Sequence, residues 1–89
     1  MNNLKLFPFM EKKFNGDMHV TESGFYNVNI AYFNDGIKNF PDTHGYGILF
    51  SFITYQAGCI FYKPDGRNEL WIKTIYGNDY RPWEKITTT

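Results

Sequence analysis

The stretch GYGILFSFITYQAGCIFYKPDGRNELWIKTI, residues 45–75, decides the fold class. It contains three apolar runs that are separated by two turn signals, one at residues 56–58 and the other at residues 64–68. Apolar runs of strand length that are broken by Gly, Pro, Asp and Asn are typical of a β-meander. We therefore predict consecutive antiparallel strands over this stretch, in a small domain that is mainly β.

The first of these runs carries apolar side chains on both faces of the predicted strand. Ile48, Phe50 and Phe52 alternate on one face, whereas Leu49 and Ile53 lie on the other. A strand that is apolar on both faces is normally covered on both faces. A chain of this size buries only about 60–65% of the surface that its unfolded form exposes. Something beyond the chain's own core is therefore expected to cover the second face.

The composition favours a second copy of the chain as that cover. Phe, Trp and Tyr make up 20% of the 89 residues, which is more aromatic surface than a monomer of this length easily buries. The single cysteine excludes an internal disulfide, and the two histidines are not at metal-ligand spacing. Because small domains need some added source of stability, we predict a homo-oligomer, with no metal and no cofactor.

The charge pattern excludes several classes of partner. Nine basic and nine acidic residues give a formal net charge of zero and are spread through the chain. No polybasic face is therefore expected to bind nucleic acid or anionic lipid. No run approaches the ~20 apolar residues of a membrane span, and the first ten residues lack the apolar segment of a signal peptide. We expect neither nucleic-acid binding nor membrane insertion.

The flanking segments complete one predicted domain over residues 23–86. Residues 1–22 are interpreted as an irregular lead-in or as the end of an upstream stalk, because the turn signal at residues 15–16 interrupts any regular period. Residues 87–89 are a short C-terminal tail. The domain thus extends the meander on both sides.

Two further strands and a long loop are predicted inside this domain. Residues 24–32 alternate as a half-buried strand, with one face formed by Tyr26, Val28, Ile30 and Tyr32. Residues 33–45 contain two turn signals and are typical of a long loop. Residues 81–86 form a closing strand that Pro82 confines to a sheet edge or to the start of a strand.

Three pieces of the chain resemble a known family: GFYNVNIAYFNDGIKNFP, GYGILFSFITYQAGCIFYKPDG and ELWIKTIYGNDYRPWEKI. In their order and spacing they are similar to the knob domain found at or near the C-terminus of phage tail fibres and tail-like bacteriocins, often called the pyocin knob. The resemblance covers about residues 23 to 86. The matching positions are Gly24, Tyr26, Val28, Asn39, Phe40, Pro41, Gly45, Tyr46, Gly47, Ile72, Lys73, Thr74, Pro82, Trp83, Lys85 and Ile86.

This resemblance implies a fold, an assembly and a function. It implies a small antiparallel β knob, a meander or sandwich-like arrangement, which forms a homotrimer at the tip of a fibre and faces the bacterial surface. A parallel trimer would also cover the second apolar face of the first meander strand. The family carries no defined catalytic set, so we expect no enzyme. The chain would be a virion protein, assembled in the host cytoplasm and joined to upstream fibre domains.

The candidate ligand-binding residues lie in turns and in the long loop, where function is often concentrated. The predicted set is Tyr55, Asp65, Arg67, Tyr80, Asp42 and His44. The two tyrosines lie beside turns, where a half-exposed phenol offers its hydroxyl. Asp65 and Arg67 occupy the turn at residues 64–68, although turn residues often serve turn geometry alone. We expect this set to bind a bacterial surface glycan.

Other conspicuous side chains have simpler interpretations. Trp71 and Trp83 are candidates for sugar stacking but are interpreted as core or interface residues. Asn27 and Asn29 share a strand face from which both can hydrogen-bond to a ligand, and a solvated face explains them as well. Cys59 is interpreted as a small buried hydrophobe.

Three functions remain open from the sequence. The first is a non-catalytic tip module that recognises host-surface glycan and mediates adsorption. The second is a structural domain that trimerises and caps a fibre whose receptor binding lies elsewhere. The third is an accessory carbohydrate-binding domain of a glycan hydrolase.

Overall fold

A computed structural model describes residues 10–87, which form one six-stranded sheet in the order β1-β2-β3-β4-β5-β6. The strands are β1 (Glu11–Lys12), β2 (Gly24–Asn29), β3 (Tyr46–Ile53), β4 (Ala57–Pro64), β5 (Glu69–Tyr76) and β6 (Asp79–Thr87). Strand β1 is parallel to β2, and every later pair is antiparallel. The mainly β class and the meander are confirmed. The described residues form a single sheet, so no second sheet makes a sandwich.

The covered face of the sheet carries the hydrophobic core. Leu49, Ile60 and Tyr62 are fully buried there, on neighbouring strands. Two irregular segments before and after β2 pack across this face and supply Phe14, Met18, Val20, Phe33, Ile37 and Phe40. Burying a large apolar side chain contributes about 1.5–3 kcal/mol, so these segments are part of the fold. The predicted lead-in, of which residues 1–9 lie outside the described part, thus supplies core side chains.

Strand β2 ends earlier than the sequence predicts. Ile30–Tyr32 form a 3-10 turn instead of the last strand residues. The side-chain oxygen of Asn29 accepts a hydrogen bond from the Ala31 amide at 2.9 Å, which offers the backbone an alternative to the strand. The prediction that Ile30 and Tyr32 extend the buried face is therefore wrong. Both are exposed, and Tyr32 exposes 78% of its surface.

The loop between β2 and β3 closes onto the sheet through a tyrosine and a glycine. The Tyr62 hydroxyl donates to the carbonyl oxygen of His44 at 2.7 Å, and burial raises the pKa of Tyr62 far above its usual value. A Cβ on Gly47 would collide with the Lys63 carbonyl oxygen and would lie 2.9 Å from the Tyr62 hydroxyl. Only glycine lets the strands approach this closely.

Strand β6 lies at an edge of the described sheet, as Pro82 predicts. A register shift interrupts its pairing with β5 between Lys73 and Ile75. The buried ammonium of Lys73 donates to the Arg81 carbonyl at 2.8 Å and lies 5.1 Å from the Trp83 ring centroid. Burial lowers the pKa of Lys73, but the carbonyl and the ring still satisfy its charged form.

Candidate functional site

The open face is the side of the sheet that faces away from the core. Residues directly opposite one another across antiparallel strands share a face, so the printed register assembles this surface from side chains on β2 to β6. Its apolar members are Phe25, Ile48, Phe50, Phe52, Cys59, Phe61, Leu70, Ile72 and Ile86. Ile48, Phe52 and Ile86 expose 41%, 50% and 46% of their surface. Such a contiguous exposed apolar patch is typical of an interaction surface.

Two charged residues, Lys63 and Glu84, lie on the open face. Lys63 is opposite Ile48, but its ammonium turns back to the carbonyl oxygens of Pro64 at 2.9 Å and Arg67 at 2.5 Å within the β4–β5 turn. Glu84 is opposite Ile72 on the edge strand β6 and is exposed. Between these two residues, the face presents mainly aromatic and aliphatic groups.

Cys59 lies on this open face, directly opposite Phe52, and is half-buried. Its interpretation as a small buried hydrophobe is therefore wrong, because the described chain covers the side chain only in part. Burial still raises the pKa of the Cys59 thiol, which lowers its thiolate fraction near neutral pH. The thiol is consequently a built-in reporter of whether this face is covered.

The predicted ligand-binding residues lie at opposite ends of the sheet. Tyr55 is 94% exposed in the β3–β4 turn. At the same end, the Gly77 amide donates to the Gln56 carbonyl at 2.9 Å and joins that turn to the β5–β6 turn. Because β3 and β4 are antiparallel, the β4–β5 turn with Asp65 and Arg67 lies at the other end. The structure does not gather the six residues into one site.

Tyr80 lies half-buried against the lead-in. Its hydroxyl donates to the Val20 carbonyl at 2.9 Å, and its ring stacks on His19 with centroids 4.2 Å apart and planes 12° from parallel. Burial raises the pKa of Tyr80 above its usual value. Packing therefore accounts for this tyrosine.

His44, Asp65 and Arg67 share the end of the sheet at which the long loop returns to β3. The Asp65 amide donates to the Tyr46 carbonyl at 2.8 Å, and the His44 ring lies 5.2 Å from the Tyr46 ring. Asp42 is exposed in the same loop. The predicted loop and the predicted turn therefore meet at this end, as the sequence cannot show.

Glu69 is a residue at this end that the sequence does not single out. Its carboxylate accepts hydrogen bonds from the Thr43 hydroxyl and from the Trp71 indole at 2.9 Å, and the Lys85 ammonium lies 3.6 Å away. The Thr43 and Trp71 bonds hold the pKa of Glu69 below its usual range. The group fastens the loop to β5 and β6. Nothing in the local sequence indicates it, because its partners are distant in the chain.

The two tryptophans are also used by the fold. Trp71 donates to Glu69, and the Trp83 indole donates to the Asn39 carbonyl at 2.8 Å. Both rings pack half-buried against the core. Their interpretation as packing residues is confirmed.

His19 carries an unsatisfied polar atom on the covered face. Its Nε2 atom is buried and has no hydrogen-bond partner among the described residues. Burial, and secondly the charge of Lys73, lower the pKa of His19, while Asp17 opposes the shift. Burial raises the pKa of Asp17, but hydrogen bonds from Asn39 and from the His19 amide, together with the charges of His19 and Lys38, lower it below its usual value.

A groove of about 800 Å³ runs along the outer edge of β2. It is lined by Glu11, Lys12, Lys13, Phe14, Asn27, Asn29, Tyr32 and Phe33. The sequence indicates only the two asparagines as possible ligand contacts. The rest of the lining comes from the lead-in and from the 3-10 turn, neither of which the strand pattern predicts.

Within residues 10–87, no three His, Cys, Asp or Glu side chains gather into a group that would hold a metal ion. The same residues contain no helix long and apolar enough to cross a membrane. Comparison of the chain with protein-family models, with curated proteins and with solved structures gives no match.

Proposed function

We propose that this protein is a non-catalytic knob module of a phage tail fibre or tail-like bacteriocin, which trimerises through its open face and adheres to bacterial surface glycan. The observation that carries the proposal is the apolar open face. A sheet with one sealed face and one exposed apolar face is suited to assembly with copies of itself, because burial of the second face would stabilise the complex.

The dimensions of the open face fit a trimer. Five strands spaced about 4.8 Å apart span about 19 Å, and a triangular prism with sides of about 19 Å has its axis about 5.5 Å from each sheet. That distance is close to half of the ~10 Å that separates packed sheets. One layer of side chains from each copy would therefore fill the prism.

The area of the open face predicts an assembly that depends on protein concentration. An apolar surface of about 20 Å by 20 Å gives about 400 Å² per copy, or about 1,200 Å² for three copies, which is divided among three pairwise contacts and is in the range of weak complexes. Half-buried side chains such as Phe61 and Ile72, in the middle of this surface, would then form the centre of the interface.

Sedimentation velocity on purified protein tests the assembly. We expect a trimer for the unmodified chain and a monomer for Ile72→Glu, because the new carboxylate would be buried in the middle of the prism beside the Glu84 carboxylate, which lies directly opposite on β6. Circular dichroism should be the same for both, since Ile72 lies outside the core. Tyr55→Glu is the control and should remain trimeric, since Tyr55 is 94% exposed in a turn. A strict monomer or a dimer at high concentration would contradict the trimer.

A purely structural knob that registers and caps a fibre is the second candidate, and the same open face supports it. The fold already accounts for Tyr80, one of the residues predicted to bind ligand. Adsorption of fibre-bearing particles to host cells separates the two functions. Variants that keep the trimer but lose adsorption support the adhesive module, whereas unchanged adsorption for every surface variant of an intact trimer supports the cap.

A further inference from the structure

We infer that the groove along the outer edge of β2 is a glycan-binding site, which takes a neutral glycan containing an N-acetylhexosamine. This inference rests on the proposed adhesive function and assigns it to a place that differs from the turns. The volume of about 800 Å³ lies within the range of roughly 300–1,000 Å³ that is common for ligand sites.

The groove exists because β1 is so short. Its two residues pair only with Phe25 and Tyr26, and the chain then leaves the edge of the sheet toward the covered face. Among the described strands, none flanks β2 beyond Tyr26 on that side. The notch between the departing chain and the 3-10 turn at Ile30–Tyr32 is the groove.

Its aromatic side chains divide into a fixed pair and an exposed ring. Phe14 and Phe33 meet edge to face with centroids 5.4 Å apart, and Phe14 belongs to the core. This pair is held in place by packing. Tyr32 follows on the 3-10 turn and exposes 78% of its surface. An exposed phenol ring offers a flat apolar face to the C–H groups of a sugar and a hydroxyl at its rim.

Two amides supply the directional contacts. Asn27 and Asn29 are two residues apart on one strand, so their side chains lie on the same face, about 7 Å apart. Their register with Ile48 and Tyr46 places them on the open face at its β2 margin, so the groove would open at a corner of the proposed trimer. The Asn29 oxygen accepts from the Ala31 amide, which fixes the side chain and leaves its two N–H donors for a ligand. The exposed Asn27 carboxamide has both a donor and an acceptor, which an acetamido group can match at two points.

The charges around the groove favour a neutral ligand. The Lys12 ammonium is bound to the Glu22 carboxylate at 3.2 Å. Glu11 and Lys13, of opposite sign, line the groove beside it. An anionic sugar would therefore meet no net positive field.

The length of the strand edge argues against a peptide ligand. Addition of a peptide strand draws its affinity from a row of backbone hydrogen bonds. Beyond Tyr26, only residues 27–29 of β2 remain, which is too short a row for stable pairing. The side chains of the groove, more than its backbone, must therefore supply the affinity.

NMR titration of the full chain with N,N′,N″-triacetylchitotriose tests the site, with maltotriose as the comparison sugar. We expect chitotriose to shift the amides of residues 12–14, 27–29 and 32–33, and maltotriose to shift them less. Tyr32→Ala should weaken chitotriose binding about tenfold, which is within the range for loss of one aromatic contact. Asn27→Ala should weaken it as well. Tyr55→Ala, another exposed tyrosine far from the groove, should leave binding unchanged.

Three results would overturn the inference: no shift at the groove amides, shifts confined to residues 65–67, or equal losses for Tyr32→Ala and Tyr55→Ala. Sedimentation of the same samples distinguishes this failure from failure of the knob proposal. A trimer without groove binding removes the site and leaves the assembly. A monomer that binds chitotriose at the groove keeps the site and removes the trimer.

Discussion

The covered face and the open face are built by the same strands from similar residues, yet the described chain seals only one of them. On β3, Leu49 is fully buried while the adjacent Ile48 exposes 41% of its surface. On β4, Ile60 is fully buried while Phe61 is only half-buried. The difference arises because the segments on either side of β2 cross one face. Apolar content along a strand therefore does not show which of its two faces is the core.

The sharpest test of this contrast compares two adjacent residues of β3. Leu49→Ala should lower the free energy of unfolding by about 3 kcal/mol, because it leaves a cavity in the core. Ile48→Ala should lower it by less than about 1 kcal/mol in dilute protein, since Ile48 is already partly exposed. Urea denaturation at low protein concentration measures both.

At high protein concentration, sedimentation should show the larger effect on association for Ile48→Ala and the smaller effect for Leu49→Ala. Ile48→Ala should weaken association, whereas Leu49→Ala should retain it in the folded fraction. Equal destabilisation by both substitutions in dilute protein would show that the two faces are equally part of the monomer core. That result would break the comparison.

The Cys59 thiol reports directly on cover of the open face. We expect alkylation by iodoacetamide to slow about tenfold between dilute and concentrated protein, because assembly would remove the thiol from solvent and disfavour its thiolate. In Ile72→Glu the rate should be independent of protein concentration. A rate that is the same at both concentrations in the unmodified chain would argue that no copy covers this face.

Single hydrogen bonds help to hold the loop on the covered face, and one of them joins the hydroxyl of the fully buried Tyr62 to the His44 carbonyl. Tyr62→Phe should lower the free energy of unfolding by about 1 kcal/mol, since the part-buried carbonyl loses its donor. Tyr55→Phe is the matched control and should have no effect, because its hydroxyl is in solvent. Thermal unfolding of the two variants measures the difference. If Tyr62→Phe matched the unmodified chain, the loop would be held by other contacts.

Much of the fold could be predicted from the sequence because local signals and tertiary pairing agree there. The turn predicted at residues 64–68 lies between β4 and β5, and Pro82 correctly predicts an edge position for β6. The turn signal at residues 56–58 is placed slightly late, because the turn occupies residues 54–56 and β4 begins at Ala57. Strand β1 could not be predicted, since Glu11 and Lys12 carry no strand pattern and become a strand only by pairing with β2. The capping bond of Asn29 likewise overrides a period-two pattern that continues past it.

Of the residues that line the candidate site, only the two asparagines could be predicted from the sequence. Asn27 and Asn29 share a face in any strand, so the sequence indicates that pair. The Tyr32 ring joins them only because the 3-10 turn takes it off the strand, and Phe14 joins them only because the lead-in folds over the sheet. Both events depend on contacts between distant segments, which a local pattern does not encode.

Lowering the pH should reduce the free energy of unfolding through groups on the covered face. This is the smallest effect that we predict. Burial, and secondly Lys73, lower the pKa of His19 from its ordinary 6.5, so the unfolded chain binds more protons than the folded chain once the pH falls below about 6.5. The free energy of unfolding should therefore decrease as the pH falls below about 6.5. His19→Gln should remove this step, and His44→Gln should retain it.

A further decrease near pH 4 should remain in both variants, because the pKa of Asp17 lies below its ordinary 3.8 and the stability from that carboxylate is lost as it is protonated. Urea denaturation across this pH range measures both steps, and an unmodified chain whose stability is constant below pH 6.5 would show that the His19–Tyr80 stack does not depend on a neutral imidazole.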